Sequence, residues 1–189
     1  MGRTVAQTAP KLTYDDFVLF PDDGKRHELI DGEHYVSPSP NVRHQAVLQN
    51  LNHLLHSFVR EHGLGRVFFA PLDVVFTLHD VTEPDLIFVS NSRASIVTEA
   101  NLQGAPDLVV EVLSPSSHRY DEVTKRALYE RAEIGEYWIV DPEADTVKVY
   151  RREGEQFGRP ALLSARDGDH LTSPLFPGLE IALADVLAE

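Results

Sequence analysis

Cysteine is absent from the 189 residues, which excludes disulfides and thiolate metal ligands together and fits a reducing cytoplasm. No run approaches the roughly 18 consecutive apolar residues of a membrane span. The opening MGRTVAQTAP lacks the apolar core of a signal peptide. A cytoplasmic protein with no membrane partner is therefore expected. Positive charge is scarce: 17 basic against 30 acidic side chains leave a formal net charge of -13. That argues against a broad phosphate-binding surface, because non-specific nucleic-acid affinity comes largely from Lys and Arg. A local groove, or a site where metal ions cancel clustered carboxylates, is compatible with the balance. The nine histidines fall in no HxH or HExxH spacing, so a dedicated zinc site is not expected. Glycine-rich phosphate loops and nucleophile elbows are missing too.

What is present reads as one mixed α/β domain, long enough to bury a full core. Residues 1–10 read as a disordered tip, and 11–189 as the domain. Thr13 and Asp16 make a capping box for a short helix through about Phe20. Segments 27–30 and 33–36 flank Asp31-Gly32, a strong hairpin signal. A helix over about 41–62 follows, with Ser39 as N-cap, Pro40 in its first position and Gly63 at its end. Its apolar stripe runs Val47, Leu48, Leu51, Leu54, Leu55, Phe58 and Val59. Strands are expected at 66–69, 72–76 and 85–89, the last two joined by a polar turn over 78–83, with a short helix near 93–98. Strand 107–113, helix 120–132 and strand 136–140 form a βαβ unit, so those two strands should be parallel neighbours. A β section from 146 to 183 and a short last helix over 184–188 close the chain.

One residue conflicts with its surroundings. Glu111 sits among Val109, Val110, Val112 and Leu113, and an uncompensated carboxylate in such a strand costs on the order of several kcal/mol. Asp85 opens the neighbouring strand after Pro84. Strands lie about 4.8 Å apart, so the two acids can reach one divalent cation. Magnesium takes oxygen ligands from one or two carboxylates and completes its shell with water and phosphate.

Helix, three strands, helix, strand is the order of the restriction-endonuclease-like core, whose signature is PD…(D/E)XK. The chain resembles one bacterial family of that superfamily, the Uma-two family of restriction-endonuclease-like proteins. The matching pieces are HELIDGEHYVSPSP (27–40), RHQ (43–45), APLDV (70–74), EPDLIFVS (83–90), GAPDLVVEVLSPSS (104–117), YDEVTKRALYERA (120–132) and EYWIVDP (136–142). The resemblance implies a central mixed sheet flanked by helices, with an N-terminal hairpin and a C-terminal β extension. It also implies a metal-dependent endonuclease hydrolysing phosphodiester bonds, on DNA rather than RNA. Asp85 and Glu111 would hold magnesium (or manganese), and Glu28 would add a further acid. The sequence departs from the signature at Leu113, where lysine is usual; strand alternation gives it the face of Glu111. Lys125, on the crossover helix with Tyr129 one turn on, is the candidate replacement. His44, Ser114 and Tyr129 are candidates for supporting or substrate contacts. A homodimer follows by analogy of fold alone, two clefts addressing two strands.

Each residue also has a purely structural reading. Asp85 can be a turn acid. Glu111 can sit in a buried ion pair with Lys125 or an arginine, without catalysis. Glu28 can be solvent-exposed, Lys125 a surface lysine, His44 a core or cap histidine, and Tyr129 and Trp138 core aromatics. At the level of function the alternative is a catalytically inactive nuclease-fold protein serving as a binding or assembly module, which the missing lysine and the net charge favour. A third reading, acid–base hydrolysis of a non-nucleic substrate, has no motif behind it.

Overall fold

The computed structural model describes residues 10–115 and 117–188. The expected N-terminal tip, apart from Pro10, and Ser116 of the Ser114-Pro115-Ser116 segment lie outside the described residues. The chain opens with α1 (Tyr14–Phe17), capped by Thr13 in the expected reciprocal box with Asp16. β1 (Arg26–Ile30) and β2 (Glu33–Ser37) follow as an antiparallel hairpin. Asp31 and Gly32 both take positive φ, 54° and 74°, the geometry a two-residue turn of this hand requires.

α2 (Val42–His62) is capped by Asn41, whose side chain accepts from the His44 amide; Gly63 ends it in the left-handed conformation. The cap is thus Asn41 and not Ser39. Pro40 precedes the cap and cannot be the first helical residue, and a side-chain amide oxygen one position later satisfies the free N–H.

β3 (Gly65–Phe69) pairs antiparallel with β6 (Leu86–Ser90), while β4 (Val74–Thr77) and β5 (Asp80–Thr82) form their own hairpin in a second sheet. The expected direct connection of 72–76 to 85–89 by a polar turn is therefore corrected. The polar stretch between them is not all turn: Asp80, Val81 and Thr82 are buried as a strand. Asp80 is tolerated there because its carboxylate accepts from the Asp31 amide, the Thr77 hydroxyl and Arg131.

A 3₁₀ turn at Asn91–Ile96 and β7 (Leu102–Gln103) lead to β8 (Leu108–Val112). The crossover then starts as a π-helical segment, Tyr120–Lys125, and continues as α3 (Arg126–Arg131). It returns to β9 (Glu136–Asp141), which pairs parallel with β8 as the βαβ reading requires. β10 (Thr146–Glu153), β11 (Gln156–Phe157), β12 (Ala161–Ser164), β13 (His170–Leu171), β14 (Ile181–Ala182) and α4 (Leu183–Val186) make the C-terminal extension.

The main sheet runs β11-β10-β9-β8-β6-β3 with β12 also on β10; the second runs β2-β1-β5-β4-β7. Period-2 alternation divides β8 between two cores. Leu108, Val110 and Val112 face α2, packing with Val47, Leu51 and Leu55. Val109 and Leu113 face α3, packing with Leu128, Tyr129 and Ile30. A mixed sheet flanked by helices is the architecture expected from the sequence. Glu111 shares the α3 face, so its carboxylate lies between the sheet and the crossover helix.

Candidate active site

The site is assembled where the two sheets meet. On β1, Arg26 and Glu28 are two residues apart and so share a face. Glu28 is wholly buried; its Oε1 accepts from the Glu83 amide at 3.0 Å and lies 3.0 Å from Lys125 Nζ. Asp85 stands at the head of β6. Arg26 Nη1 donates to its Oδ1 at 2.8 Å, and the Val112 amide donates to its Oδ2 at 2.8 Å. His44, carried into reach by the first turn of α2, places Nε2 3.0 Å from Oδ2; an ionised carboxylate only accepts, so Nε2–H is the donor.

Glu111 Oε1 accepts from Lys125 Nζ at 2.9 Å and from the Tyr129 hydroxyl at 2.7 Å. Lys125 and Tyr129 are one helical turn apart, which lets both reach one oxygen. Asp121, a turn before Lys125, lies 3.8 Å from its Nζ. Leu113 packs in the apolar cluster beside Tyr129, in the strand position where the signature has lysine. The cation nearest Glu111 comes from the helix instead.

Burial dominates the electrostatics. It opposes ionisation of Asp85, yet the His44 hydrogen bond and the Arg26 charge outweigh it and hold that carboxyl well below the usual range. Burial raises Glu111 to about 8, against the attraction of Lys125 and with the repulsion of Asp85 and Asp121 adding to it. Asp121 is raised to about 6 and Glu83 to about 7, each mainly by burial. Burial also works against the charge on Lys125, but Glu111 and Glu28 overcome it and hold the lysine protonated. Among the described residues, Glu28 Oε2, His44 Nδ1 and the Tyr120 hydroxyl are buried without a hydrogen-bond partner.

A cavity of about 490 Å³ opens onto the cluster. Asp85, Glu111, Lys125, His44 and Ser114 line it, while Glu28 and Tyr129 sit behind, in contact through Lys125 and Glu111. All seven candidate residues thus gather in one region, and the Ser114 amide is held by the Ser117 hydroxyl at 3.0 Å. Glu28, which the sequence left equally readable as exposed, is buried. Arg26, Tyr120 and Asp121 were not singled out from the sequence. Period-2 spacing from Glu28 was the available signal for Arg26, and the helical i, i+4 relation to Lys125 for Asp121. Tyr120 had none.

The donors facing the cavity are hard carboxylate oxygens, the chemistry a magnesium-type cation takes. Among the described residues, no group of three or more His, Asp or Glu is arranged to hold a metal ion. The fit therefore rests on the Asp85–Glu111 pair and the unpartnered Glu28 oxygen nearby. Among the described residues no helix is long and apolar enough to cross a membrane.

Comparison with known proteins bears on the family and the fold. The Uma2 family model, described as "Putative restriction endonuclease", matches residues 14–184. The fold is that of a solved structure from Anabaena variabilis ATCC 29413, described as a "putative nuclease belonging to DUF820". The TM-score is 0.79 at 23% identity, covering 94% of this chain and 98% of that one. No curated protein matches the chain.

Proposed function

Since the chain belongs to the Uma2 family of restriction-endonuclease-like proteins, we propose that it is a magnesium-dependent endonuclease acting on DNA. The observation that carries the reading is Lys125: it reaches Glu111 at 2.9 Å from the crossover helix, supplying the cation that Leu113 does not. Asp85 and Glu111 would hold magnesium or manganese, which when bound lowers the pKa of an attacking water and neutralises charge on the phosphate.

The chain's own residues perform the rest. Arg26, His44 and the Val112 amide fix the Asp85 carboxylate and keep it ionised, ready to act as a ligand. Tyr129 and Lys125 fix the position of the Glu111 carboxyl by their hydrogen bonds to its Oε1. Lys125, at the cavity wall with its charge held on by Glu28 and Glu111, would stabilise negative charge building on the phosphoryl oxygens. Glu28 orients that lysine from behind.

The test uses closed circles, because they offer no ends. The protein with magnesium or manganese should open circular DNA, and Asp85→Ala and Glu111→Ala should each abolish opening. Cutting that persists in both variants identifies a contaminant and overturns the reading. A binding or assembly module on a nuclease fold is the second reading. It is favoured by Asp85, whose two oxygens are both already engaged by the protein. Intact circles in every condition would select it.

A further inference from the structure

The reactive groups lie deep. Asp85, Glu111 and Lys125 are each 2% exposed, on the wall of a cavity of about 490 Å³. That is within the size of pockets that enclose one small ligand, roughly 300–1,000 Å³. In a duplex the phosphates ride on the outside of a stiff rod, and proteins grip them with arrays of Lys and Arg. Among the described residues the cavity lining holds no such array. Beyond Arg26 and Lys125, both engaged with carboxylates, Arg119 is the only Lys or Arg lining the cavity among the described residues. The net charge of -13 makes a long phosphate track less favourable still.

One wall is aromatic instead. Tyr35 of β2 packs on Tyr120 with ring centroids 4.8 Å apart, and Lys125 lies over the Tyr120 ring at 5.3 Å. Tyr35 is directly opposite Glu28 in the hairpin register, so the aromatic face and the buried acid belong to the same strip of sheet. Pro38 and Pro40 continue the lining with further apolar surface. An aromatic wall beside a lone exposed arginine is how proteins take an unpaired strand: bases lie on rings and one or a few cations follow the backbone.

Resting on the nuclease reading, we infer that the site takes an unpaired nucleotide of a single strand, with Tyr35 against the base and Arg119 on an adjacent phosphate. An intact duplex is then a poor substrate. Binding tests this without requiring turnover. A labelled single-stranded oligonucleotide and its blunt duplex are titrated with the full chain in calcium at one fixed salt concentration, and fluorescence anisotropy is read. The single strand should bind at least about 10-fold more tightly. Tyr35→Ala should weaken single-strand binding by about 10-fold, the scale of one lost base stack. The variant's circular dichroism melting curve should stay within about 2 °C of the parent, which separates lost stacking from lost fold. Arg119→Ala should weaken binding and flatten its salt dependence. Equal affinity for the two forms, preference for duplex, no binding to either, or an unaffected Tyr35→Ala overturns the inference. A protein that opens relaxed duplex circles as readily as single-stranded ones would keep its nuclease function and lose this specificity. One that binds single strands and opens no circle would do the reverse.

Discussion

Lys125 has more carboxylate around it than one ammonium can match. Glu28 and Glu111 both lie within 3.0 Å of its Nζ, Asp121 at 3.8 Å, and all are buried. Removing one partner of a buried ion pair leaves an uncompensated charge, a loss of about 3–5 kcal/mol. Lys125→Met should therefore lower stability by that amount in urea titrations at pH 8. Adding Glu111→Gln to it should recover part of the loss; no recovery would show that the two side chains are not coupled. The same crowding sets a pH dependence. Burial raises Glu111 to about 8 and Asp121 to about 6, so between the ordinary carboxyl range and pH 8 the folded chain binds more protons than the unfolded one. Stability must then fall as pH rises across that window and level off above it. Urea midpoints measured from pH 5 to 9 without divalent cations should show the decline. Glu111→Gln, which cannot ionise, should make the decline between pH 6 and 8 shallower, leaving the part that Glu83, raised to about 7, contributes.

At the scale of elements, the site depends on where α2 begins, because His44 reaches Asp85 from its first turn. Asn41 accepts from the His44 amide itself, at 2.8 Å. Asn41→Ala should cost about 1 kcal/mol by the usual worth of an N-cap. Ser39→Ala, at the residue the sequence pattern nominated, should change the midpoint by less than about 0.5 kcal/mol. Equal effects would mean that Ser39 shares the capping. The misplaced cap shows what the sequence could not convey. Ser39-Pro40 and Asn41 are both sound helix starts by local preference, and only the path of the chain decides between them. The Asp31-Gly32 hairpin, the α2 stripe and the parallel β8–β9 pair were legible because turn chemistry and periodicity act locally. β5 was not, since the groups that let Asp80 be buried, Arg131 and the Asp31 amide, are far away in sequence. Of the site, Glu111 was legible because a lone acid in a valine-rich strand needs compensation. Arg26 was not, since its partner Asp85 is 59 residues away and joins it only when the two sheets meet.

For the molecule as a whole the excess of acid is the governing quantity. With a net charge of -13 the folded state works against its own repulsion, and part of that excess is concentrated at the cavity floor. Two fixed cations, Arg26 and Lys125, stand there against Glu28, Asp85, Glu111 and Asp121. A divalent ion that enters only the folded chain adds stability by mass action. If it binds with a Kd near 1 mM, 10 mM magnesium contributes about 1.4 kcal/mol, or a rise in Tm of roughly 3–6 °C for a chain of this size. Sodium chloride at matched ionic strength controls for screening of the general repulsion, so the quantity of interest is the difference between the two salts. The parent protein should show that difference, whereas Asp85→Asn and Glu111→Gln, each lacking one ligand charge, should melt alike in both. A parent that also melts alike in both has no divalent site at physiological concentrations. Its acids would then be matched by Arg26 and Lys125 alone, as a binding module on a nuclease fold requires.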